Sequence, residues 1–250
     1  VVEGGIWGGN DGIKIKNSHI SGISGGFGEN TIDISNVTNL DAKTIWGNKF
    51  KDIVNIDGTL KNSTIITVDG EDTVNINTGA TIDNISINTG VDNDTVNINT
   101  NITATAQSNI VTEDGSDTVN IKSGITLTNV NVDMGAGEDK IKINDGKLNS
   151  TDRITFKGST LSTGSDTAAD DNDKITISNA TFMESSPGKR SNVYTKNGDD
   201  IVTVKDGTIF QDNSLITTGR GNDRVYLESG VQFNKATVWA DDGDDEIHIN

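Results

Sequence analysis

The feature that most constrains the fold is a short unit that recurs along the chain. It is a tight Gly-x-Asp turn followed directly by a strand with apolar side chains on alternate positions, as in residues 137–143. Most successive turn residues are separated by 19 to 23 residues. A repeat of this length, with one supersecondary unit per period, is typical of a solenoid. The turn residues are Asp11, Asn30, Asp52, Asp72, Asp94, Asp117, Asp139, Asp173, Asp200, Asp223 and Asp245.

The apolar residues keep the same register in every copy of the unit. They lie two and four positions after the turn residue, as Val96 and Ile98 do after Asp94, and most of them are β-branched. Further on, a glycine, a short apolar stretch, an asparagine and a second short stretch complete the period. We therefore predict an all-β parallel β-solenoid, or β-helix, of about eleven coils of roughly 22 residues, and we expect it to be right-handed.

The repeat extends from one end of the sequence to the other, which favours a single solenoid segment over residues 1–250. Because the chain opens at Val1 without Met and closes on Asn250 directly after a strand pattern, we expect it to be part of a longer chain. Two longer steps between turn residues predict surface insertions near 157–171 and 184–191, the second of which contains the single proline.

Composition limits the possible partners and the possible chemistry. The formal net charge of −17 argues against binding to nucleic acid and to anionic membranes, both of which need clusters of Lys and Arg. Without cysteine, neither disulfides nor thiolate metal sites can form. Carboxylates stacked about 4.8 Å apart repel one another, so a file of turn carboxylates is expected to be well solvated or to hold cations. Hard oxygen ligands favour Ca²⁺ over zinc or copper.

Residues 25–33, with the sequence GGFGENTID, resemble the nonapeptide of the RTX, or haemolysin-type calcium-binding, repeat, with Asn30 in place of its Asp. Residues 135–141 and 219–225 match that motif from its second glycine onward. The resemblance implies Ca²⁺ held between stacked turns in large secreted bacterial toxins, adhesins, surface-layer proteins and some enzymes. Unlike that family, this chain has the motif once per coil, which allows at most one file of ions.

The candidate metal ligands are turn carboxylates and the glycines whose carbonyls would join them. They are Asp72, Asp94, Asp117, Gly135, Gly137, Asp139, Asp173, Asp200, Gly219, Gly221, Asp223, Asp242 and Asp245. The case is strongest at Asp139, Asp223 and Asp245 and weakest near Asp52, whose turn has no glycine. The alternative is that Asp and Asn serve only as turn formers that bond to the local backbone.

These patterns lead us to expect a non-enzymatic structural segment of a secreted bacterial cell-surface protein, of the S-layer (surface-layer) or adhesin type, stabilised by Ca²⁺. Its expected partners are calcium ions, with copies of itself or cell-surface polysaccharide as further candidates. The alternative is a carbohydrate-active (lyase- or hydrolase-like) or carbohydrate-binding β-helix, for which Trp7, Trp46 and Trp239 could be sugar-stacking platforms. No catalytic acid pair stands out, because every Asp pair has a copy in another coil. Phe182, Phe210 and Phe233 occupy equivalent positions and predict an interior stack.

Overall fold

A computed structural model describes residues 12–16, 22–35, 40–41, 43–143, 152–164 and 171–250 of the chain. Over this part the chain winds into a parallel β-solenoid without helices, which confirms the predicted fold class. The strand after each Gly-x-Asp turn belongs to an eleven-stranded parallel sheet. Its strands are β1 (Gly12–Lys16), β3 (Asn30–Ser35), β6 (Asp52–Asp57), β9 (Thr73–Ile76), β12 (Thr95–Ile98), β14 (Thr118–Ile121), β16 (Lys140–Ile143), β19 (Lys174–Ile177), β22 (Ile201–Val204), β25 (Arg224–Leu227) and β28 (Glu246–Ile249).

The other strands of each coil form a second parallel sheet, which bends at the asparagine corner into two faces. The first face contains β4 (Leu40–Asp41), β7 (Thr59–Lys61), β10 (Thr81–Asp83), β17 (Ile154–Lys157), β20 (Ala180–Met183), β23 (Ile209–Gln211) and β26 (Gln232–Asn234). The second face contains β2 (Ile23–Ser24), β5 (Thr44–Asn48), β8 (Thr64–Val68), β11 (Ser86–Asn88), β18 (Thr160–Ser162), β21 (Asn192–Tyr194), β24 (Leu215–Thr217) and β27 (Thr237–Trp239). Two strands, β13 (Ile102–Val111) and β15 (Thr126–Asp133), continue around the corner and join the two faces.

Strand register places like residues above like residues. Val96 pairs with Val74 in one neighbouring coil and with Val119 in the other, and all three are fully buried. Inward β-branched side chains therefore stack in continuous columns, and one core runs through the rod. The outward positions of the same strands carry polar residues, as the alternation predicts.

A column of aromatic rings fills the core in the C-terminal half. Phe156, Phe182, Phe210 and Phe233 stack with centroids 4.5, 4.6 and 5.1 Å apart and ring planes within 12° of parallel. The predicted interior stack is confirmed, and Phe156 extends it by one coil. Parallel stacking of identical rings follows from the coil repeat, because equivalent side chains are displaced by about 4.8 Å along the axis.

Polar side chains form a ladder on the outer surface of the first sheet. The amide of Asn75 donates to Asn55 Oδ1 at 2.8 Å, Asn97 donates to Asn75 at 2.7 Å, and Asn120 donates to Asn97 at 2.8 Å. The ladder ends where Asn55 donates to Asp33 Oδ1 at 2.7 Å. Each amide thus both donates and accepts, which ties successive coils together and helps to fix their register.

The asparagine corner has left-handed backbone geometry, as expected for a residue type that tolerates positive φ. Asn62, Asn84, Asn129 and Asn213 have φ between 46° and 62°. Asn109 and Asn234 lie instead within strands β13 and β26, and in the last coil the positive φ is found at Lys235.

The insertions differ from their predicted extents. Residues 157–164 belong to a regular coil, in which β18 pairs with β15 and β21, so that the prediction of an insertion beginning at residue 157 is wrong. The polar run misled because Ser159 is buried and its hydroxyl donates to the Leu127 carbonyl at 3.1 Å. Residues 165–170 lie outside the described part of the chain. The second insertion, 184–191, is a tight loop between β20 and β21, closed by hydrogen bonds between Ser186 and Lys189 and between Ser185 and Lys189. Among the described residues there is no helix long and apolar enough to cross a membrane.

Candidate metal centre

In most of the described Gly-x-Asp turns, two residues of positive φ lie four and two positions before the turn carboxylate. In the turn of Asp139 these are Gly135, with φ of 90°, and Gly137, with φ of 130°. A Cβ atom on Gly137 would lie 1.6 Å from the carbonyl oxygen of Gly115 in the neighbouring coil. Glycine is therefore demanded both by the local conformation and by close stacking of the turns. Gly219 and Gly221 occupy the same two positions in the turn of Asp223.

The turn carboxylates point into the rod and form what we call the carboxylate column. Asp72, Asp94, Asp117, Asp139, Asp173, Asp200 and Asp223 are each at most 1% exposed. From Asn30 to Asp223, the backbone N–H of every turn residue donates to Oδ1 of the turn carboxyl in the next coil. These N–O distances are between 2.6 and 3.0 Å. The column therefore continues the backbone ladder across a corner where a strand pairing is interrupted.

The second oxygen of each carboxyl in the column has no backbone donor. Oδ2 of all seven carboxylates is buried. Threonine hydroxyls five positions earlier lie beside them, but the Thr67 hydroxyl donates its proton to the Thr89 carbonyl at 3.0 Å, and Thr112 donates to Met134 at 2.9 Å. A hydroxyl has one proton, so these two cannot also satisfy the carboxylates, and the same holds for Thr195, which donates to the Thr218 carbonyl. The hydroxyls of Thr89, Thr163 and Thr218 have no other partner, so they can donate to Asp94, Asp173 and Asp223. Oδ2 of Asp72, Asp117, Asp139 and Asp200 is therefore a buried acceptor that is open to a proton or to a cation.

Burial makes ionisation of the column unfavourable. Loss of solvation is the main cause that raises the pKa of Asp94 to about 8 and that of Asp139 to about 9, and repulsion by the neighbouring carboxylates of the column contributes to both values. Desolvation likewise raises the pKa of Asp117 to about 6. The backbone N–H that each carboxyl accepts acts in the opposite direction. Without a bound cation, part of the column is thus protonated at neutral pH.

The two ends of the column differ from its middle. Both oxygens of Asp52 are satisfied: Oδ1 accepts the backbone N–H and the side-chain amide of Asn30, and Oδ2 accepts those of Asn48. Neutral amides thus terminate the column on this side. At the other end, Asp245 is partly exposed, and its Oδ1 accepts the N–H of Asp223 at 3.0 Å.

Other acids of the turns lie outside the column. Asp242 is exposed and approaches Arg220 Nε at 3.9 Å, so it does not join the other candidate ligands. Asp171, which the sequence did not single out, is buried with an unpartnered Oδ2, and its charge raises the pKa of both Asp139 and Asp173. Sequence reasoning also missed Asn48. The threonines beside the carboxylates form a column that is visible in the sequence five positions before the turn residue.

The donor set suits a hard cation in type. It offers buried carboxylate oxygens with threonine hydroxyls beside most of them, whereas five residues before Asp139 the equivalent position is the buried Met134, whose thioether is a softer ligand. Over the described ranges, however, no group of three or more Asp, Glu or His side chains is arranged to hold a metal ion. A Ca²⁺ ion bound here would be held by Oδ2 atoms of the column and would take its remaining ligands from hydroxyl, carbonyl or water oxygens.

Comparison of the chain with protein-family models, with curated proteins and with solved structures finds no match.

Proposed function

We propose that this chain is a non-enzymatic, rigid structural segment of a secreted bacterial cell-surface protein of the S-layer or adhesin type, and that Ca²⁺ bound along the carboxylate column stabilises it. The observation that carries the proposal is the file of seven buried Oδ2 atoms, four of which have no donor. Such a file is costly in the metal-free state, because each oxygen without a donor must lose its charge or remain unsatisfied. A cation that binds it adds its binding free energy to folding.

A structural role is supported by the uniformity of the rod. From Asp72 to Asp223 each turn carboxylate accepts one backbone N–H through Oδ1 and keeps Oδ2 buried, whereas a catalytic acid or base must come within hydrogen-bond reach of a substrate. A continuous core and unbroken parallel ladders give a stiff element suited to spacing or to a lattice.

Secretion forms part of the same proposal, since extracellular calcium is millimolar and cytosolic calcium is low. A chain whose carboxylate column is completed only by Ca²⁺ would remain poorly folded until export and would fold outside the cell.

Calcium titration tests the metal directly. The chain is freed of divalent ions with chelator, and thermal unfolding is followed by circular dichroism with Ca²⁺, with Mg²⁺ and without either. We expect Ca²⁺ to raise the melting temperature more than Mg²⁺ does, because the site demands flexible, many-oxygen coordination. Calorimetry near neutral pH in two buffers of different ionisation enthalpy should also show protons released on binding, since Asp94 and Asp139 hold protons there. Identical melting in chelator and in millimolar Ca²⁺ would refute the calcium proposal.

A further inference from the structure

The outer surface of the second face carries one file of side chains that changes character near the C-terminal end. The file consists of the residues that pair from coil to coil along this face, of which only Ser162 is buried: Trp46, Ile66, Asn88, Val111, Asp133, Ser162, Tyr194, Thr217 and Trp239. Only in its last three members do two aromatic rings flank one small residue, with Tyr194 and Trp239 on either side of Thr217. Neighbouring coils are about 4.8 Å apart, so the two aromatic positions are separated by about 9.6 Å.

The small middle coil produces a notch in the surface. A cavity of about 490 Å³ opens there, and its floor includes Thr217 and Gly219. The next member of the file, Trp239, is 61% exposed, whereas Val238 beside it packs against the core. The indole therefore stands on the outer surface, one coil beyond the floor residue Thr217. A gap between two aromatic positions is wide enough for one flat, saturated ring to pack its C–H bonds against an aromatic face.

Both signs of charge line the notch. Lys196 and Arg220 come from adjacent coils at its turn side, and Asp241 lies in the coil beyond them. The Arg220 guanidinium makes only a loose ion pair, 3.9 Å from Asp242 with both side chains more than 70% exposed, so it can exchange this partner for a ligand at little cost. Guanidinium suits a carboxylate, whereas a carboxylate such as Asp241 accepts hydrogen bonds from hydroxyl groups.

We propose that this notch is a binding site for an acidic sugar. One ring of a uronic-acid oligosaccharide lies between Tyr194 and Trp239, with its carboxylate paired to Arg220 and Lys196 and its hydroxyls directed to Asp241. A simple anion would not use the aromatic positions, and a neutral sugar would not use the cations. The net charge of −17 disfavours long polyanions, so the notch selects a short segment rather than binding along a whole polymer.

Calorimetric titration of the whole chain in Ca²⁺-containing buffer with trigalacturonate tests this site, with maltotriose as the uncharged control. We expect saturable binding of trigalacturonate, at least about tenfold tighter than that of maltotriose. Tyr194→Ala and Trp239→Ala should each weaken binding about tenfold, and Trp239→Phe should preserve most of it. Arg220→Gln should remove the preference for the acidic sugar over maltotriose. Because these side chains face outward, the circular dichroism spectra of the variants should match that of the parent chain.

Trp46→Ala is the matched control, because it removes an exposed tryptophan from the same file at a place where the neighbouring coils offer no second aromatic ring. It should leave binding of trigalacturonate unchanged. Absence of saturable trigalacturonate binding, equal affinity for the two sugars, or an equal loss in Trp46→Ala and Trp239→Ala would each overturn the proposal.

Discussion

Replacing one carboxylate of the column by its neutral isostere should stabilise the metal-free rod. Asp94→Asn keeps an oxygen for the N–H of Asp72, which Asp94 accepts at 2.8 Å, and replaces Oδ2, whose one neighbouring donor is the Thr89 hydroxyl, by an amide that can itself donate. The turn at the end of the column already has an asparagine, Asn30, at the position of the carboxylate. There Asn30 donates through Nδ2 to the Gly28 carbonyl at 2.7 Å and to Asp52 Oδ1 at 2.8 Å. An asparagine is thus compatible with this turn, and it needs no proton to be neutral.

The magnitude follows from linkage between protonation and folding. An unfolded Asp has a pKa near 3.9, and burial raises the pKa of Asp94 in the folded chain to about 8. Each unit corresponds to about 1.4 kcal/mol, so at about pH 7 the folded state loses about 4 kcal/mol relative to the unfolded chain. The corner of a thin rod is partly screened by solvent, so we expect about half of this, and Asp94→Asn should gain about 2 kcal/mol in chelator. Below about pH 4 both states of Asp94 are largely protonated, and the gain should fall under about 0.5 kcal/mol.

Urea unfolding followed by circular dichroism, at about pH 4 and about pH 7 and with or without Ca²⁺, measures these differences. The matched control is Asp114→Asn, which removes the same charge from an exposed position of the adjacent turn and should change stability by less than about 0.5 kcal/mol. In millimolar Ca²⁺ the order should reverse, because the variant loses a ligand that the parent chain uses. A loss of stability for Asp94→Asn in chelator at about pH 7 would refute the reasoning, since it would mean that the carboxylate has an uncounted partner.

Four further predictions concern pH, the turns and the core. In chelator the parent chain should be most stable below about pH 4 and lose stability as pH rises toward 9. The reason is that folding raises the pKa values of the buried carboxyls, that of Asp139 to about 9, so that ionisation favours the unfolded chain. A urea midpoint that stays constant between about pH 4 and about pH 9 would contradict this prediction. Gly137→Ala should cost more than about 3 kcal/mol of unfolding free energy, measured in urea, because its Cβ would meet a backbone oxygen at 1.6 Å. Gly79→Ala is the control, since Gly79 has φ of 96° but open space around it, and it should cost about 1 kcal/mol. Equal losses in the two variants would contradict the role given to close stacking of the turns. Val68→Gly should raise the melting temperature, because it removes the backbone strain of a β-branched residue held at φ of 87°; an unchanged melting temperature would contradict this reason. Phe182→Ala should lower the free energy of unfolding by about 3 to 5 kcal/mol, because it interrupts the aromatic stack, and an unchanged stability would contradict that reason.

The fold could be predicted because the same unit of turn and strand recurs along the whole chain. A single Val-x-Ile pair is weak evidence for a strand, but its recurrence at one spacing leaves few ways to bury all copies at once. The positions of Val96 and Ile98 over Val119 and Ile121 followed from that register alone. The prediction was wrong where polarity was taken for exposure, at residues 157–164, since Ser159 is polar and yet buried in a regular coil.

The sequence predicted only part of the candidate metal site. The sequence located the turn carboxylates and the glycines, and it allowed both a solvated file and a cation site. It could not tell that Asp139 would point inward and accept the backbone N–H of Asp117 in the preceding coil, nor that Asp171 would be buried next to it. It also gave no sign of the notch between Tyr194 and Trp239, because these residues lie 45 positions apart.

The sequence by itself determined the coil, its length and the residues that share each column, because the periodicity of the residue pattern along the chain specifies all three. Only the tertiary structure decided which way the turn carboxylates face, which of their oxygens are satisfied and which outward side chains become neighbours. Those properties depend on the stacking of one coil on the next, at a spacing of about 4.8 Å where a backbone N–H can reach a carboxylate and two rings can enclose a third group. The electrostatic cost of the column arises in the same way, because it is a property of burial and not of the residues alone.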